Sequence, residues 1–526
     1  MSPLGTVMEI VTPTLDYVLL APVLIVFLAS VIGVGIEAFV PKRARFLSQG
    51  LLVIVAIAAA LIMVGINAGS GARTVDAVGS IAIDGPTHFM WAMLLVLGGL
   101  SLLLFAERTA DDNPFAPQVA SVPGTQSETD ALEAGSAHTE VFPLGMLALT
   151  GMLIFPASND LVTLFVSLEV LSLPLYLLCG MARRRRLLSQ ESSLKYFLLG
   201  ALSSGFFLYG IALLYGFAGS FTYEAINTAV RNSEQPPGLL IAGLGLLGVG
   251  LLFKVGAVPF HAWTPDVYVG APTAVTAFMA ACTKIAAVGA LLRVFYVALG
   301  SARWDWQPAM AVVAVLTMAV GGLLAITQTD VKRMLAYSSI AHAGFILTAF
   351  VGAHQANSGA GEGSITSLQA VLFYLGVYGV STIAAFAVLT MVRERGVEVT
   401  SLAGWAGLGK KSPLLAAVFG FLLLSFAGIP LTSGFIGKWA VFAAAWGGGY
   451  AWLVVVAVVV SLVTAFFYLR IIVSMFFSEP SDGPEVVEAG LPTLIAVAIG
   501  VVVTLGAGVV PGPLLELAGR AGEFVR

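Results

Sequence analysis

The sequence predicts an all-α membrane protein of about fourteen transmembrane helices. Of its 526 residues, 58% are hydrophobic and only 10% charged, where a soluble domain carries about 25% charged residues. Apolar runs of roughly 20 residues, the length that crosses a bilayer as a helix, recur along the whole chain. The cations of the connecting segments fall mostly on one side when those runs are threaded alternately through a membrane.

The runs lie near 16–40, 46–66, 88–106, 141–157, 159–180, 192–218, 238–257, 273–299, 307–327, 334–353, 367–391, 412–446, 451–477 and 491–511. The first is long enough to span and has no basic segment before it, so it is expected to stay as a membrane helix rather than act as a cleavable leader. Lys42, Arg43 and Arg45 separate it from the second. Between the third and fourth, residues 107–140 hold seven carboxylates and three prolines among small residues, a composition that predicts a loosely ordered insertion. Arg183 to Arg186 divide the fifth from the sixth. The seventh ends in LLFKVGAVPFHAWTPDVYVGAPTAV, residues 251–275, where a lysine precedes three prolines. The twelfth is interrupted by Gly428, Pro430 and Gly434.

With the N-terminus outside, the inward segments hold fourteen cations: Lys42, Arg43, Arg45, Arg108, Arg183 to Arg186, Lys332, Arg333, Arg393, Arg395, Lys410 and Lys411. The outward segments hold five, Arg73, Arg231, Arg303, Arg520 and Arg526. Cytoplasmic loops carry the excess of Lys and Arg, so both termini are expected on the outer side. A net charge of −4 argues against a nucleic-acid partner, whose binders show a basic footprint. Cys179 and Cys282 lie in separate apolar runs with no C-x-x-C pair, a pattern that suggests no iron–sulfur, zinc or haem ligation in this chain.

The informative residues are the ions inside apolar runs, each costing about 2.5–3.5 kcal/mol at a helix centre. Glu169 lies about ten residues from Asn159, near mid-membrane, as a proton carrier or a lysine's partner; a protonated packing glutamate is the competing reading. Lys284 lies about 16 Å beyond Thr273 at 1.5 Å per residue, too deep to reach water along its own stem. Lys254 ends its run and can snorkel, but Pro259 removes a backbone donor beside it. Polar backbone freed at membrane depth is tolerated only in protein or along a watery cavity, which favours a cavity-facing lysine. Lys438, after the break at Pro430, follows the same argument. Lys195 is only a few residues past a polar flank, so anchoring and function stand level there. His342 sits eight residues into its span and titrates in the range of a relay; an interhelical hydrogen bond is its alternative. His261 and Asp266 read as capping and bracing groups, and Arg293 and Arg470 as anchors near span ends.

These groups suit a proton wire. The distance between a buried carboxylate and ammonium decides which of them holds a proton. Ser203, Ser204, Thr283, Ser338 and Ser339 supply hydroxyls for connecting waters. The two lysine–proline breaks lie about five spans apart, an odd shift that inverts topology, and paired interrupted helices mark ion paths in transporters.

FKVGAVPFHAWTPDVYVGAPTAVTAFMAACTKIA, KRMLAYSSIAHAGF and GIPLTSGFIGKW resemble the antiporter-like membrane subunits of respiratory complex I and their relatives in multisubunit cation/proton antiporters, closely over residues 141–477. LLGALSSGFFLYGIALLYGFAGS resembles the N-type branch of bacterial NADH–quinone oxidoreductase. So does the eleventh span VLFYLGVYGVSTIAAFAVL, with Tyr374 and Tyr378 where L- and M-type subunits tend to carry histidines. No long lateral helix follows the fourteenth span, as one does in L-type subunits. The resemblance implies two inverted five-helix repeats, each with a broken helix: residues 141–300 and 301–478, preceded by residues 1–140 and followed by 479–526. It implies proton translocation through Glu169, Lys195, Lys254, Lys284, His342 and Lys438, with Glu169 paired to Lys254, Lys284 linking two half-channels, His342 as the connecting histidine of the tenth span and Lys438 as the lysine of the broken twelfth. It implies a bacterial inner-membrane location among other complex I subunits. NAD, FMN, iron–sulfur clusters and quinone would be held there, with no cofactor in this chain. A subunit of a multisubunit Na⁺/H⁺ antiporter is the alternative.

Overall fold

The computed structural model of the chain describes residues 15–108, 115, 125–126, 138–232, 236–352, 365–480 and 483–525. Helices dominate. In chain order they are α1 (Tyr17–Phe39), α2 (Lys42–Gly69), α3 (Gly85–Phe105), α4 (Val141–Ala157), α5 (Leu161–Cys179), α6 (Arg186–Ala218), the short α7 (Tyr223–Asn232), α8 (Gly238–Val255), α9 (Trp263–Gly270), α10 (Thr273–Ala298), α11 (Arg303–Thr327), α12 (Val331–Val351), α13 (Ser367–Thr390), α14 (Pro413–Ala427), α15 (Ser433–Gly447), α16 (Ala451–Phe477), α17 (Leu491–Val509) and α18 (Gly512–Arg520). Among the described residues twelve helices are long and apolar enough to cross a membrane, and they fall in twelve of the fourteen expected segments. The other two segments contain shorter apolar helices: α4, and α14 followed by α15. The all-α expectation needs one amendment. Five strands of two or three residues form a hairpin, β1 (Thr74–Asp76) with β2 (Ile81–Ile83), and a three-stranded patch of β3 (Val392–Glu394), β4 (Val397–Glu398) and β5 (Glu485–Val486). They are loop structures at helix ends, too short for any pattern of alternation to announce them.

Carboxylates start several spans. The side chains of Asp16, Asp84, Asp160 and Asp330 accept backbone N–H bonds at the first turns of α1, α3, α5 and α12; each such cap contributes about 0.5–2 kcal/mol. The core is built on α10, which is wholly buried, and on α12 and α13, which are nearly so. The outer helices α1, α2, α6, α16 and α17 turn apolar rows outward, among them Leu51, Leu202 and Leu462. Such contiguous apolar surface suits lipid or a membrane neighbour.

Hydrogen bonds tie the connecting segments into two groups. In one, Arg185 reaches Glu398, Lys410 reaches Glu479, and Gly490 and Thr493 donate to Glu107. In the other, Asn159 reaches Gly79, Ser301 reaches Asn227, Gln369 reaches Leu515 and Val525 reaches Asp84. The insertion at 107–140 falls mostly outside the described residues. Phe115 within it is buried against Phe105 and bridges to Ala182, joining the first group.

One local pattern occurs twice. Leu161 N donates to Phe221 O and Asp160 bridges to Thr222; Val331 N donates to Thr400 O and Asp330 bridges to Ser401. The first set lies in the second group of segments and the second set in the first. The helix breaks match as well. α8 ends at Gly256, φ +78°, and Ala257 N reaches back to Leu252 O; α14 ends at Gly428, φ +85°, and Ile429 N reaches back to Leu424 O. Both are glycine C-terminal caps. The breaks therefore begin at the glycines, before Pro259 and Pro430, and the prolines only prevent resumption.

Candidate functional site

Three of the buried lysines and one buried histidine sit on the central spans and at the two helix breaks. Lys254, Lys284 and Lys438 are each 4% exposed and His342 is 2% exposed. None of the three lysines forms an ion pair within 4.0 Å among the described residues. A buried charge without a counter-charge is costly, so what surrounds each one decides what it can do.

Lys254, on the last turn of α8, is enclosed by rings. Its Nζ lies 3.4 Å from Tyr196 OH, 5.0 Å from the Tyr196 ring centroid and 5.6 Å from that of Tyr176. Trp263 stacks on Tyr196 at 4.7 Å, and its Nε1 donates to Phe253 O, a carbonyl that also accepts from Gly256 N where α8 ends. Ring faces attract a cation with about 0.5–2 kcal/mol each. Lys284 follows a π-helical turn, Met279–Thr283, inside α10. Such turns shift the side-chain phase of a helix and recur at functional sites. Its Nζ donates to Ser339 O and Ser339 Oγ and lies 5.4 Å from the Tyr378 ring. The His342 ring stacks on the other neighbour of that tyrosine space, 4.6 Å from the Tyr378 centroid. Its Nδ1 is 2.5 Å from Tyr374 OH and its Nε2 3.2 Å from Tyr468 OH, and Tyr468 in turn bonds Ser338 Oγ. Lys438 donates to Ala427 O and Ser461 Oγ, both at 2.9 Å, with Phe345 at 4.9 Å. Phe345 packs edge-on to His342 at 5.8 Å. From Lys284 to Lys438 the row is continuous through Tyr378, His342 and Phe345.

Glu169 is half-buried and accepts from Ser204 at 2.5 Å. It stands on the same face of α5 as Tyr176, two turns away, and the structure places it outside ion-pair distance of Lys254. Lys195 lies apart from the row. It is 41% exposed and paired with Glu191 at 2.7 Å and Asp266 at 2.8 Å. Asp266 also holds Arg333 at 3.0 Å, so it braces α9 against α6 and α12. Burial pushes its carboxyl up, but the bonds from Lys195 and the nearby Arg333 outweigh that and hold it below the usual range. Burial pushes the His261 imidazole down.

Arg293 corrects an expectation. It is no interfacial anchor but 1% exposed, with both Nη groups on Asp84 at 2.8 and 2.9 Å, Nε on Pro156 O and Phe524 at 4.5 Å. Nearness to a span end suggested water; the partner, 209 residues away, was invisible. Arg470 is half-buried and donates to the terminal carbonyls of α11, Ile326 O and Gln328 O, an anchor to protein rather than to lipid. The tyrosines Tyr196 and Tyr468 and Ser461 were not singled out by the sequence. A tyrosine in an apolar run gives no sign of which hydroxyl meets a partner. Among the described residues no group of three His, Cys, Asp or Glu is placed to hold a metal ion.

Residues 158–464 match the family described as NADH:quinone oxidoreductase/Mrp antiporter, TM. Over 537 residues the chain is 56% identical to the NADH-quinone oxidoreductase subunit N of Nocardioides sp., covering 99% of this chain and 100% of the relative. It is 52% identical to that of Rhodococcus opacus, covering 98% and 97%. The chain belongs to the subunit N branch of this family. Among solved structures, subunit N's fold is matched in the respiratory complex I from Thermus thermophilus with bound aureothin, at TM-score 0.74 and 33% identity, covering 95% of this chain and 100% of that one. The Mrp complex from Dietzia sp. shares the fold at TM-score 0.80 and 23% identity, covering 96% and 97%.

Proposed function

We propose that the chain is the antiporter-like, proton-translocating subunit N of an NADH:quinone oxidoreductase, with electrons passing from NADH to quinone in other subunits. The observation that carries the reading is the row of buried, carboxylate-free lysines linked through His342. Groups that costly inside a membrane are retained where ions move. The near-full-length identity to subunit N relatives favours this over a Na⁺/H⁺ antiporter subunit, since the Mrp likeness is one of fold.

In this reading Lys254, Lys284, His342 and Lys438 carry protons in turn. Tyr374, Tyr468 and Ser338 lend hydroxyls around the imidazole. Buried hydroxyls without protein partners, Thr264, Thr283 and Ser433, mark where connecting waters sit, as unpaired buried polar groups do. Glu169 acts on Lys254 across the Tyr176 ring by through-space coupling, and Lys195 with Asp266 forms the surface end of the route. NAD, FMN, iron–sulfur clusters and quinone are assigned to neighbouring subunits; for the clusters, this chain offers only two single buried thiols on separate helices, not the four ligands a cluster takes.

The architecture proposed is fourteen crossings in a bacterial inner membrane with both termini outward. Residues 141–300 and 301–478 form inverted repeats between flanks 1–140 and 479–526. The twice-used Asp160 and Asp330 pattern, at opposite groups of loops and five spans apart, supports it, as does the fourteen-to-five cation asymmetry. The test is Lys254→Ala, and separately Glu169→Ala, in the assembled enzyme. Proton pumping per NADH should fall while NADH-to-artificial-acceptor activity and subunit content persist. Full pumping in both would remove the reading.

A further inference from the structure

At the end of the molecule that carries the arginine run, the segment 182–185, the start of α10, Lys332 and the β3–β4 hairpin enclose a cavity of about 60 Å³. Among the described residues, five cationic side chains line it, Arg183, Arg184, Arg185, Lys332 and Arg393, with one carboxylate, Glu398. At roughly 10–15 Å³ per water-sized group, the space holds about four to six such groups, enough for the five heavy atoms of a tetrahedral oxyanion.

Three of them, Arg184, Arg185 and Lys332, are held by neutral oxygens. Arg184 Nη1 meets Arg395 O at 3.3 Å, and Arg185 meets Thr400 Oγ1 at 3.4 Å and Glu398 O at 3.2 Å. Lys332 is 2% exposed, and its Nζ donates to Ala271 O at 2.8 Å. The Glu398 carboxylate is engaged by Thr273 Oγ1. Arg185 of the wall, and Arg395, whose carbonyl accepts from Arg184, adopt left-handed backbone, φ +56° and +50°. That conformation costs about 1–2 kcal/mol per residue and persists where surrounding structure demands it. The N-terminus of α10, at Pro272 and Thr273, opens on the same space without a side-chain cap, adding donors and positive dipole. Beside the cavity, Leu187, Leu194 and Leu198 form an exposed stripe along one face of α6.

We propose that this cavity binds a phosphate-class oxyanion, one phosphate group held by the guanidinium groups of Arg184 and Arg185 over the Lys332 ammonium, drawn from a lipid headgroup or from free phosphate. Planar guanidinium forks match phosphate oxygens in pairs. The bound group would clamp the segment before α6 to the hairpin after α13, giving Arg184, Arg185 and Lys332 a counter-charge in place of neutral oxygens alone. The Leu187 stripe gives a lipid's acyl chains a place to lie.

The assembled enzyme in phosphatidylcholine nanodiscs, with and without phosphatidylglycerol, tests the lipid source, with native mass spectrometry counting retained phosphatidylglycerol. Inorganic phosphate against chloride at matched ionic strength tests the free anion, read as the thermal unfolding midpoint. The double variant Arg184→Gln/Arg185→Gln should retain one fewer phosphatidylglycerol if the headgroup fills the cavity, or lose the phosphate-specific shift if the free ion does. Affinity should drop roughly tenfold to hundredfold, the loss expected for charge-assisted bonds. Glu398→Gln, which removes a carboxylate from the lining, should bind as well or better. Should the double variant fail to assemble, Arg184→Lys/Arg185→Lys keeps the charge without the fork and should show an intermediate loss. Unchanged phosphatidylglycerol retention together with equal phosphate and chloride behaviour would overturn the proposal.

Discussion

The two helix breaks use the same glycine cap and opposite lysine placements. In the first, Lys254 stands two residues before Gly256 and meets mainly ring faces, while Trp263 and the Gly256 N–H share the carbonyl of Phe253. In the second, Lys438 stands ten residues past Gly428, and its own ammonium takes the freed carbonyl of Ala427. Lys438 is thus part of the structure of its break, and Lys254 is not. Ring faces attract a cation without fixing its direction, so the first ammonium can shift within its cage. Two 2.9 Å charge-assisted bonds fix the second. A proton route with one movable and one fixed lysine has a natural place for gating, at the first.

The largest expected effect lies between the two breaks, on α10. Removing Asp84 strands the Arg293 guanidinium, and breaking a buried pair from one side costs about 3–5 kcal/mol. Burial raises the Asp84 carboxyl, but Arg293, with bonds from Thr87 and Val525, holds it below its ordinary value. A depressed carboxylate contributes stability that is complete above the ordinary carboxylate range and is lost as pH falls through its lowered value. Asp84→Ala should therefore lower the thermal midpoint of the enzyme near neutral pH and flatten the acid limb of its stability profile. Next comes the direct contrast. Lys438→Met leaves Ala427 O and Ser461 Oγ without their donor and should cost about 1–3 kcal/mol for the stranded acceptors. Lys254→Met strands only the distant Tyr196 hydroxyl and should leave the midpoint unchanged or higher. Both should lose pumping. Equal destabilisation would dissolve the distinction between fixed and movable lysines.

A smaller effect separates the glycines. Gly428 has φ +85°, and a Cβ there would stand 2.9 Å from Lys438 Cδ, so Gly428→Ala adds a displaced lysine to backbone strain. At Gly256 a Cβ would meet Thr264 Oγ1 at 3.0 Å. Strain alone is about 1–2 kcal/mol. The alanine at 428 should exceed it and perturb pumping, while the alanine at 256 should register mainly as lost stability.

The parts of this architecture that depend on local composition were legible. Apolar length announced the helices, Gly–Pro clusters announced both breaks, and the cost of burying charge singled out Lys254, Lys284 and Lys438. What depended on pairing across the chain was not. Arg293 read as an anchor because its partner Asp84 caps a helix two hundred residues earlier. Lys195 and Tyr196 are neighbours in sequence, yet α6 turns the lysine to Asp266 at the surface and the tyrosine to Lys254. Successive side chains on a helix point about 100° apart, so the facing of α6 decided which of the two entered the row, and a polar flank gives no measure of that facing.

The smallest effect follows from that same pair of environments. Tyr196→Phe removes a 3.4 Å contact, long for a hydrogen bond, and keeps the ring face, so Lys254 should hold its place and stability should change by less than about 0.5 kcal/mol. Ser461→Ala removes one of two short bonds from Lys438 and should cost about 1 kcal/mol or more. If the aromatic cage rather than the phenol oxygen positions Lys254, Tyr196→Phe should pump near the parental rate, whereas Tyr196→Leu, which deletes the face, should not. A phenylalanine variant as impaired as the leucine would show that the hydroxyl passes the proton, and the first break would then be as directional as the second.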